Sequence, residues 1–165
     1  MKPIALLLAA AVLAGAPALP AMAQNPAQIA RAGGGANCPG CNLFQADYSN
    51  QEMKGRNFAG ARLRQSDLSL SVMNRTTFAH ADLRDVNAYG GVFSSANFSG
   101  ADLTNATFVG TYLEGSNFSG ARLTGANFSG AEMARVAGLT QAQLNTACGD
   151  SSTRLPGGLR IPTCR

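Results

Sequence analysis

Aromatic and charged side chains are scarce in this chain. Its 165 residues include no tryptophan and a single histidine, and charged residues make up 13% of the sequence. A single histidine cannot supply a multi-histidine metal centre, and no serine or cysteine nucleophile stands in an evident relation to His80. We therefore predict that the chain is not an enzyme and assign no catalytic residue, no metal ligand and no cofactor.

Neither sign of charge dominates the middle of the chain. The whole sequence has a formal net charge of +4, but residues 41–135 contain eight basic and eight acidic side chains. A neutral segment has neither the basic footprint of a nucleic-acid binder nor the acidic surface of a nucleic-acid mimic. The charge pattern predicts no nucleic-acid partner.

The first 23 residues have the pattern of a secretory signal peptide. Lys2 precedes an apolar stretch over residues 4–16, and Ala21-Met22-Ala23 is a small-x-small cleavage site before Gln24. The stretch is too short to span a bilayer, and no later segment is long and apolar enough to do so. We expect a periplasmic or secreted mature protein without a membrane span.

Residues 41–135 divide into nineteen consecutive blocks of five without an insertion or deletion. Nearly every block has a large apolar residue at its centre, as in Ala96-Asn97-Phe98-Ser99-Gly100. A period of five fits neither the 3.6 of a helix nor the 2 of a strand, so each block is predicted to be a short extended side followed by a corner. So short a unit cannot fold alone, and successive units must stack on one shared core.

The centres of every fourth block form columns of like residues, which predicts four sides and twenty residues per coil. Two other columns are mixed but mostly large, and the residue two before each centre is mostly small. The two pure columns are Leu43, Leu63, Leu83, Leu103, Leu123 and Phe58, Phe78, Phe98, Phe118.

These blocks, of the form Ala-(Asp/Asn)-(Leu/Phe)-x-x, resemble the pentapeptide-repeat proteins. The resemblance implies an all-β solenoid, a right-handed quadrilateral β-helix of about five coils, in which the centre and the small residue point inward. Gln51 and Arg56 occupy small-residue slots, so we expect an irregular first coil. Ala88 replaces a large centre, and we expect the adjacent Tyr89 to cover part of the missing volume.

Four cysteines in an exported chain predict two disulfides. Five coils at roughly 4.8 Å each separate the two ends of the stack by about 20 Å, whereas a disulfide needs Cα atoms within about 7 Å. Pairing Cys38 with Cys41 and Cys148 with Cys164 avoids that conflict. Cys38 and Cys41 also have CxxC spacing, but the motif neither opens a helix after a strand nor has a second CxxC, so we interpret it as a structural clasp.

The flanking segments complete a four-part organisation. Residues 1–23 are the signal peptide, and residues 24–40 are a flexible segment, disordered before Cys38, that contains the start of the clasp. Residues 41–135 are the β-helix, and residues 136–165 are a capping helix with a disulfide-tied tail. Thr140 and Gln143 fit a capping box, and Gly149 suits the helix stop.

One outward-facing set of apolar residues is a candidate surface for a partner, which we call the corner patch. Three members precede the centres of one column, two follow the centres of the neighbouring column, and one lies at the corner between them. Its members are Leu70, Val72, Tyr89, Val92, Val109 and Tyr112. Such a patch reaches the size that indicates a partner. The alternative is that β-branched and aromatic residues simply favour extended backbone.

The favoured hypothesis is a non-enzymatic exported scaffold that binds an unidentified protein, as a monomer or weak homodimer. The resemblance supplies an alternative, because some family members resemble duplex DNA in size and charge and protect type II topoisomerases. The neutral repeats and the signal peptide oppose that role. A third hypothesis is a redox or metal protein that uses the cysteines.

Overall fold

The computed structural model describes residues 23–165. Apart from residue 23, the predicted signal peptide lies outside the described residues. Two short helices flank the repeats: α1 spans Pro26–Gly33 and α2 spans Gln141–Leu144. Between them the backbone forms parallel β-bridges that join residues twenty apart, from Asn42↔Arg62 to Asn117↔Ala137.

These bridges build a four-sided solenoid with twenty residues per coil, which confirms the predicted β-helix. Each side pairs with the coils below and above it: the Val72 amide donates to the Gln51 carbonyl and the Met73 amide donates to the Val92 carbonyl, both at 2.8 Å. The backbone polar groups of the inner coils are thus satisfied along the axis of the stack.

Every fifth residue from Gly40, just before the first block, to Gly130 forms a corner with a φ between 55° and 72°. The corner is the third residue of a four-residue turn, as in the 3.3 Å bond from the Ser71 amide to the Leu68 carbonyl. A positive φ at this position favours glycine or asparagine. Ten of the nineteen corners are glycine, and nine are other residues.

Ten of the nineteen blocks have Asp or Asn immediately before the centre, and this side chain has a local structural task. Its side chain accepts a hydrogen bond from the amide two residues later, as Asp67 does from Ser69 at 2.8 Å and Asn97 does from Ser99 at 3.0 Å. This Asx turn supports the bend that starts the corner. The repeat therefore uses Asp and Asn to stabilise its turns.

The leucine and phenylalanine columns form the core. The Phe98 ring stacks between Phe78 at 5.2 Å and Phe118 at 5.0 Å, measured between ring centroids, and is 1% exposed. The expectation that Tyr89 fills the space beside Ala88 is wrong, because Tyr89 is 54% exposed. Phe93, the next centre along the chain, is fully buried, and its ring centroid lies 5.9 Å from that of Phe108.

The expectation of a disordered segment before Cys38 is wrong for residues 26–33, which form α1. Asn25 caps the helix by accepting from the Gln28 amide, and Pro26 starts it. Ala32 is fully buried, and the Tyr48 hydroxyl donates to the Ile29 carbonyl at 3.1 Å. The helix is ordered because it packs on the open end of the first coil.

The expectation of an irregular first coil is also wrong. Its four sides pair regularly with the second coil, at Asn42, Asp47, Glu52 and Asn57. A β-carbon on Gly35 would lie 2.8 Å from Arg56 Nη2, and one on Gly33 would lie 3.9 Å from Gln51 Oε1. The first coil has the α1 segment below it in place of a complete coil, so both long side chains extend toward that segment and the ladder pairing stays regular.

The chain after the repeats covers the other end. Thr140 and Gln143 form a capping box, and α2 ends at Leu144, before the predicted stop at Gly149. Gln143 Nε2 donates to the carbonyls of Phe118 and Ala121 at 2.9 and 2.8 Å. Later residues extend two of the ladders through Asn127↔Cys148 and Glu132↔Arg154. The structure contains disulfides Cys38–Cys41 and Cys148–Cys164, with Cα separations of 5.4 and 4.8 Å.

Candidate functional site

One side of the solenoid, which we call the valine face, carries a continuous ladder with an apolar middle. Its bridged residues are Glu52, Val72, Val92, Tyr112 and Glu132, in order along the stack. Tyr89 and Val109 belong to the preceding side, and Leu70 occupies the corner between the two sides. The structure therefore places the six residues of the corner patch around one edge of the solenoid.

Leu70, Tyr89 and Tyr112 are 53%, 54% and 58% exposed. They are the exposed large apolar side chains of residues 23–165. Val72, Val92 and Val109 are partly exposed beside them. Three large apolar side chains clustered at one edge, with partly exposed valines between them, form a surface of the kind that marks binding sites.

Leu70 occupies a backbone conformation that does not suit it. Its φ is 56°, and it is the single aliphatic residue among the nine non-glycine corners. The left-handed region costs an L-residue with a β-carbon about 1 kcal/mol. A β-carbon on Gly90 would lie 2.8 Å from Leu70 Cδ2, so the leucine side chain extends over the next corner of the stack. Eight other non-glycine corners share this φ, so what distinguishes Leu70 is its exposed apolar side chain.

The three apolar residues of the valine face cannot form the Asx turn, because their side chains have no carboxylate or amide acceptor. Val72, Val92 and Tyr112 occupy the position that supplies the Asp or Asn acceptor in ten of the nineteen blocks. The Ser94 amide, which lacks an acceptor on Val92, donates to Asn74 Oδ1 of the coil below at 3.0 Å. A substitute acceptor maintains the turn, while the outward position is apolar.

Paired charges border the valine face. Lys54 lies 2.8 Å from Glu52 at one end, and Arg154 lies 3.4 Å from Glu132 at the other. Arg135 pairs with Glu114 beside Tyr112, and its hydrogen bond holds the pKa of the Glu114 carboxyl below its usual range. The patch therefore presents apolar surface with little net charge around it.

The face of the leucine column carries four of the seven arginines of residues 41–135, and nearby carboxylates compensate their charges. Arg84 makes a 2.7 Å bond to Asp82 that lowers the pKa of this carboxyl, and Arg64 lies 3.2 Å from Asp85. Arg62 lies over the Phe44 ring at 5.0 Å. Compensation by neighbouring carboxylates leaves no uniform basic field for steering a polyanion.

The other candidate groups do not converge. His80 is exposed at a corner, where its ring lies against Gly100. All four cysteines are in disulfides, so none is available as a thiolate. Within residues 23–165, no three His, Cys, Asp or Glu side chains are grouped to hold a metal ion.

A shallow depression of about 340 Å³ lies between α2 and the C-terminal tail. The Gln141 side chain crosses it, donating to the Arg160 carbonyl at 2.8 Å and accepting from the Arg160 amide at 3.0 Å. These two hydrogen bonds hold the tail against α2, so the residues that line the depression have a structural role.

Neither α1 nor α2, the helices of the described chain, has the length and apolarity to cross a membrane.

No curated protein sequence matches the chain. Among solved structures, a pentapeptide repeat protein from the thylakoid lumen of Arabidopsis thaliana is 26% identical, with a TM-score of 0.59, over 72% of this chain and 81% of that one. A pentapeptide repeat protein from Nostoc Pcc 7120 is 20% identical, with a TM-score of 0.41, over 83% of this chain and 88% of that one.

The family model for pentapeptide repeats matches residues 57–87 and 96–133 in eight copies. Those residues lie within the twenty-residue coils, and their centres are the buried columns of the core. From the repeat, the ladder register and the eight matched copies, residues 57–87 and 96–133 are pentapeptide repeats stacked in a four-sided solenoid.

Proposed function

We propose that this protein is a non-enzymatic scaffold that binds another protein through the corner patch. The observation that carries the proposal is that the exposed large apolar side chains of the described residues, Leu70, Tyr89 and Tyr112, lie together in that patch. An intrinsic preference for extended backbone does not explain Leu70, because a corner with positive φ disfavours it.

In this proposal the solenoid is a rigid support of about five coils whose ends are both closed. The α1 segment covers the first coil, and α2 with the tail caps the last one. Open ends of a stack expose strand edges that invite association. Closed ends leave the sides as the surfaces that present residues at fixed spacing of about 4.8 Å.

We further propose that the protein acts outside the cytoplasm, after removal of residues 1–23. Two disulfides are typical of oxidising compartments. The similar Arabidopsis protein comes from the thylakoid lumen, a compartment reached by export. The small-x-small site before Gln24 is consistent with the same fate.

The experiment compares two double variants with the same added charge. Val92→Lys with Tyr112→Lys alters the corner patch, whereas Ala59→Lys with Ala79→Lys alters two consecutive coils on the adjacent phenylalanine-column face, at partly exposed positions that supply no Asx acceptor. Tagged proteins are used to capture partners from extract of the native compartment, and the captured proteins are quantified by mass spectrometry. The patch variant should lose partners that the control retains. Identical partner sets for wild type and both variants would remove the patch from consideration.

A further inference from the structure

We propose that the mature chain begins with a pyroglutamate, formed by cyclisation of Gln24. The inference rests on the proposed removal of residues 1–23, because it concerns the amine that this cleavage exposes. Cleavage after the small-x-small site Ala21-Met22-Ala23 makes Gln24 the first residue. An N-terminal glutamine holds a nucleophile and an electrophile in one residue, namely the free α-amine and the carboxamide of its own side chain.

The reaction balances within this one residue. The lone pair of the α-nitrogen attacks Cδ of the Gln24 side chain, the new N–Cδ bond closes a five-membered lactam, and the Cδ–Nε2 bond breaks. Nε2 takes up the proton that the α-nitrogen loses and leaves as ammonia, so neither an oxidant nor a reductant takes part. The α-nitrogen changes from an amine that is charged at neutral pH into a neutral amide.

Gln24 lies where this reaction is sterically open. The residue is exposed, and its Nε2 donates a hydrogen bond to the Gln45 carbonyl at 3.1 Å. A hydrogen bond on the surface competes with water, so releasing Nε2 removes little stability. The next residue has a fixed role, because Asn25 is the N-cap of α1 and accepts from the Gln28 amide at 3.1 Å. Cyclisation therefore alters the free end and leaves the helix cap in place.

A free α-ammonium is poorly placed in the mature chain. It would lie two residues before Pro26, at the positive end of the dipole of α1, and the first turn of this helix contains no acidic residue to offset it. Positive charge at a helix N-terminus destabilises the helix. Cyclisation removes this charge, as N-terminal acetylation does in other chains.

Asn42 gives a second reason for a neutral end. In the uncleaved chain its Nδ2 donates to the Ala23 carbonyl at 2.8 Å. Cleavage removes this acceptor and leaves the α-ammonium, which can only donate, on the neighbouring nitrogen. The lactam acylates the same nitrogen again and brings a carbonyl oxygen with it. Cyclisation thus restores an acceptor to this edge of the first coil in place of a second donor.

Mass spectrometry of the exported protein tests the proposal. The full chain is expressed in an exporting bacterial host, and the mature protein is purified, incubated at physiological temperature and digested with trypsin. We expect the peptide of residues 24–31 to be lighter than its sequence by one ammonia, about 17 Da, and to resist amine labelling. Gln24→Asn is the matched control, because its shorter amide would have to close a strained four-membered ring. Its peptide should keep a free amine.

The N-terminal peptide separates the two ways in which the proposal can fail. A chain that begins at Gln24 and keeps its free amine, even after treatment with a glutaminyl cyclotransferase, would overturn the pyroglutamate and leave export and the corner patch standing. A chain that keeps residues 1–23 would refute the proposed cleavage and the pyroglutamate with it.

Hydrogen exchange tests the physical reason. The amides of Gln28 and Ile29 bond to the side chain and the carbonyl of Asn25 in the first turn of α1. They should exchange roughly two- to fivefold more slowly in the cyclised protein than in Gln24→Asn, which keeps its ammonium. Equal rates in the two proteins would refute the argument from the helix dipole.

Discussion

Adjacent corners of the stack should be energetically coupled, and the pair Leu70 and Gly90 allows a direct test. A β-carbon on Gly90 would lie 2.8 Å from Leu70 Cδ2, whereas one on Gly110, the next corner of the same edge, has open space around it. Both glycines have positive φ, 61° and 65°. Gly90→Ala and Gly110→Ala are therefore matched in backbone strain and differ in one steric contact.

The magnitudes follow from that difference. Alanine in the left-handed region costs about 1 kcal/mol, and this cost applies to both variants. Gly90→Ala must also push the Leu70 side chain off its rotamer, which costs roughly another 1 kcal/mol. Leu70→Ala removes the obstructing atom, so the penalty of Gly90→Ala should fall by about 1 kcal/mol in that background and match that of Gly110→Ala.

Guanidinium denaturation followed by circular dichroism measures the free energies of the four proteins of the cycle and of Gly110→Ala. Coupling between residues 70 and 90 requires a twenty-residue coil, because in any shorter coil these two corners would not be neighbours. Equal penalties for Gly90→Ala and Gly110→Ala, or a penalty of Gly90→Ala that Leu70→Ala leaves unchanged, would show that the corners at residues 70 and 90 are not coupled.

Three further predictions concern the core and the covered ends. Phe98→Ala should lower the unfolding free energy by about 3–5 kcal/mol, because it leaves a cavity in a stacked column; a loss below about 1 kcal/mol in the same denaturation assay would contradict this packing. Burial raises the pKa of Tyr48 to about 12 from an ordinary value of 10.0, so the folded state disfavours the phenolate. The stability that Tyr48 contributes should be complete below pH 10 and lost as the pH rises toward 12. Tyr48→Phe should lose the hydrogen bond to Ile29 and should be destabilised less than the wild type at alkaline pH. Alkaline melting curves that are the same for both proteins would contradict this. Hydrogen bonds from the Ser152 hydroxyl and the Gly130 amide lower the pKa of Asp150 to about 2. Its stabilising contribution should be present above pH 3.8 and lost as the pH falls toward 2. Asp150→Asn should therefore reduce the change in melting temperature over that pH range.

The core of this fold could be predicted from the sequence because nearly every block has a large apolar residue at the same position, and that position is buried. Leu83 and Leu103 are twenty residues apart and fully buried, and the same holds for Phe78 and Phe98 within 1% exposure. One error in assigning a single block would not alter the columns. Repetition converts a weak local signal into a specific register.

The ends could not be predicted in the same way, because each occurs once. Residues 24–36 are small, polar and glycine-rich, a composition typical of disorder. Their helix depends on a surface that exists only after the first coil has formed, where Ala32 becomes buried and Tyr48 bonds to Ile29. The Gln51 and Arg56 side chains likewise fit because they lie at an end of the stack. Local pattern contains no information about which coil is terminal.

The candidate site was partly accessible to sequence reasoning. The register alone placed Val72, Val92 and Tyr112 on one outward ladder, and the structure brings them together with Leu70. The replacement of the Asx acceptor on this face was missed, although the signal was present in the sequence as a change from Asp or Asn to apolar residues. It became interpretable once the bonds from residues such as Ser69 to Asp67 showed what those acceptors do.

The claim that the corner patch binds protein is tested most directly by site-specific photo-cross-linking in the producing cell. A photoreactive phenylalanine analogue is introduced at Tyr112 in one strain and at Asn117, the next bridged position around the same coil, in another. After illumination, the chain labelled at position 112 should form discrete adducts, with a second copy or with another protein, and the chain labelled at position 117 should not. Absence of adducts at position 112, or the same adducts at both positions, would contradict the account.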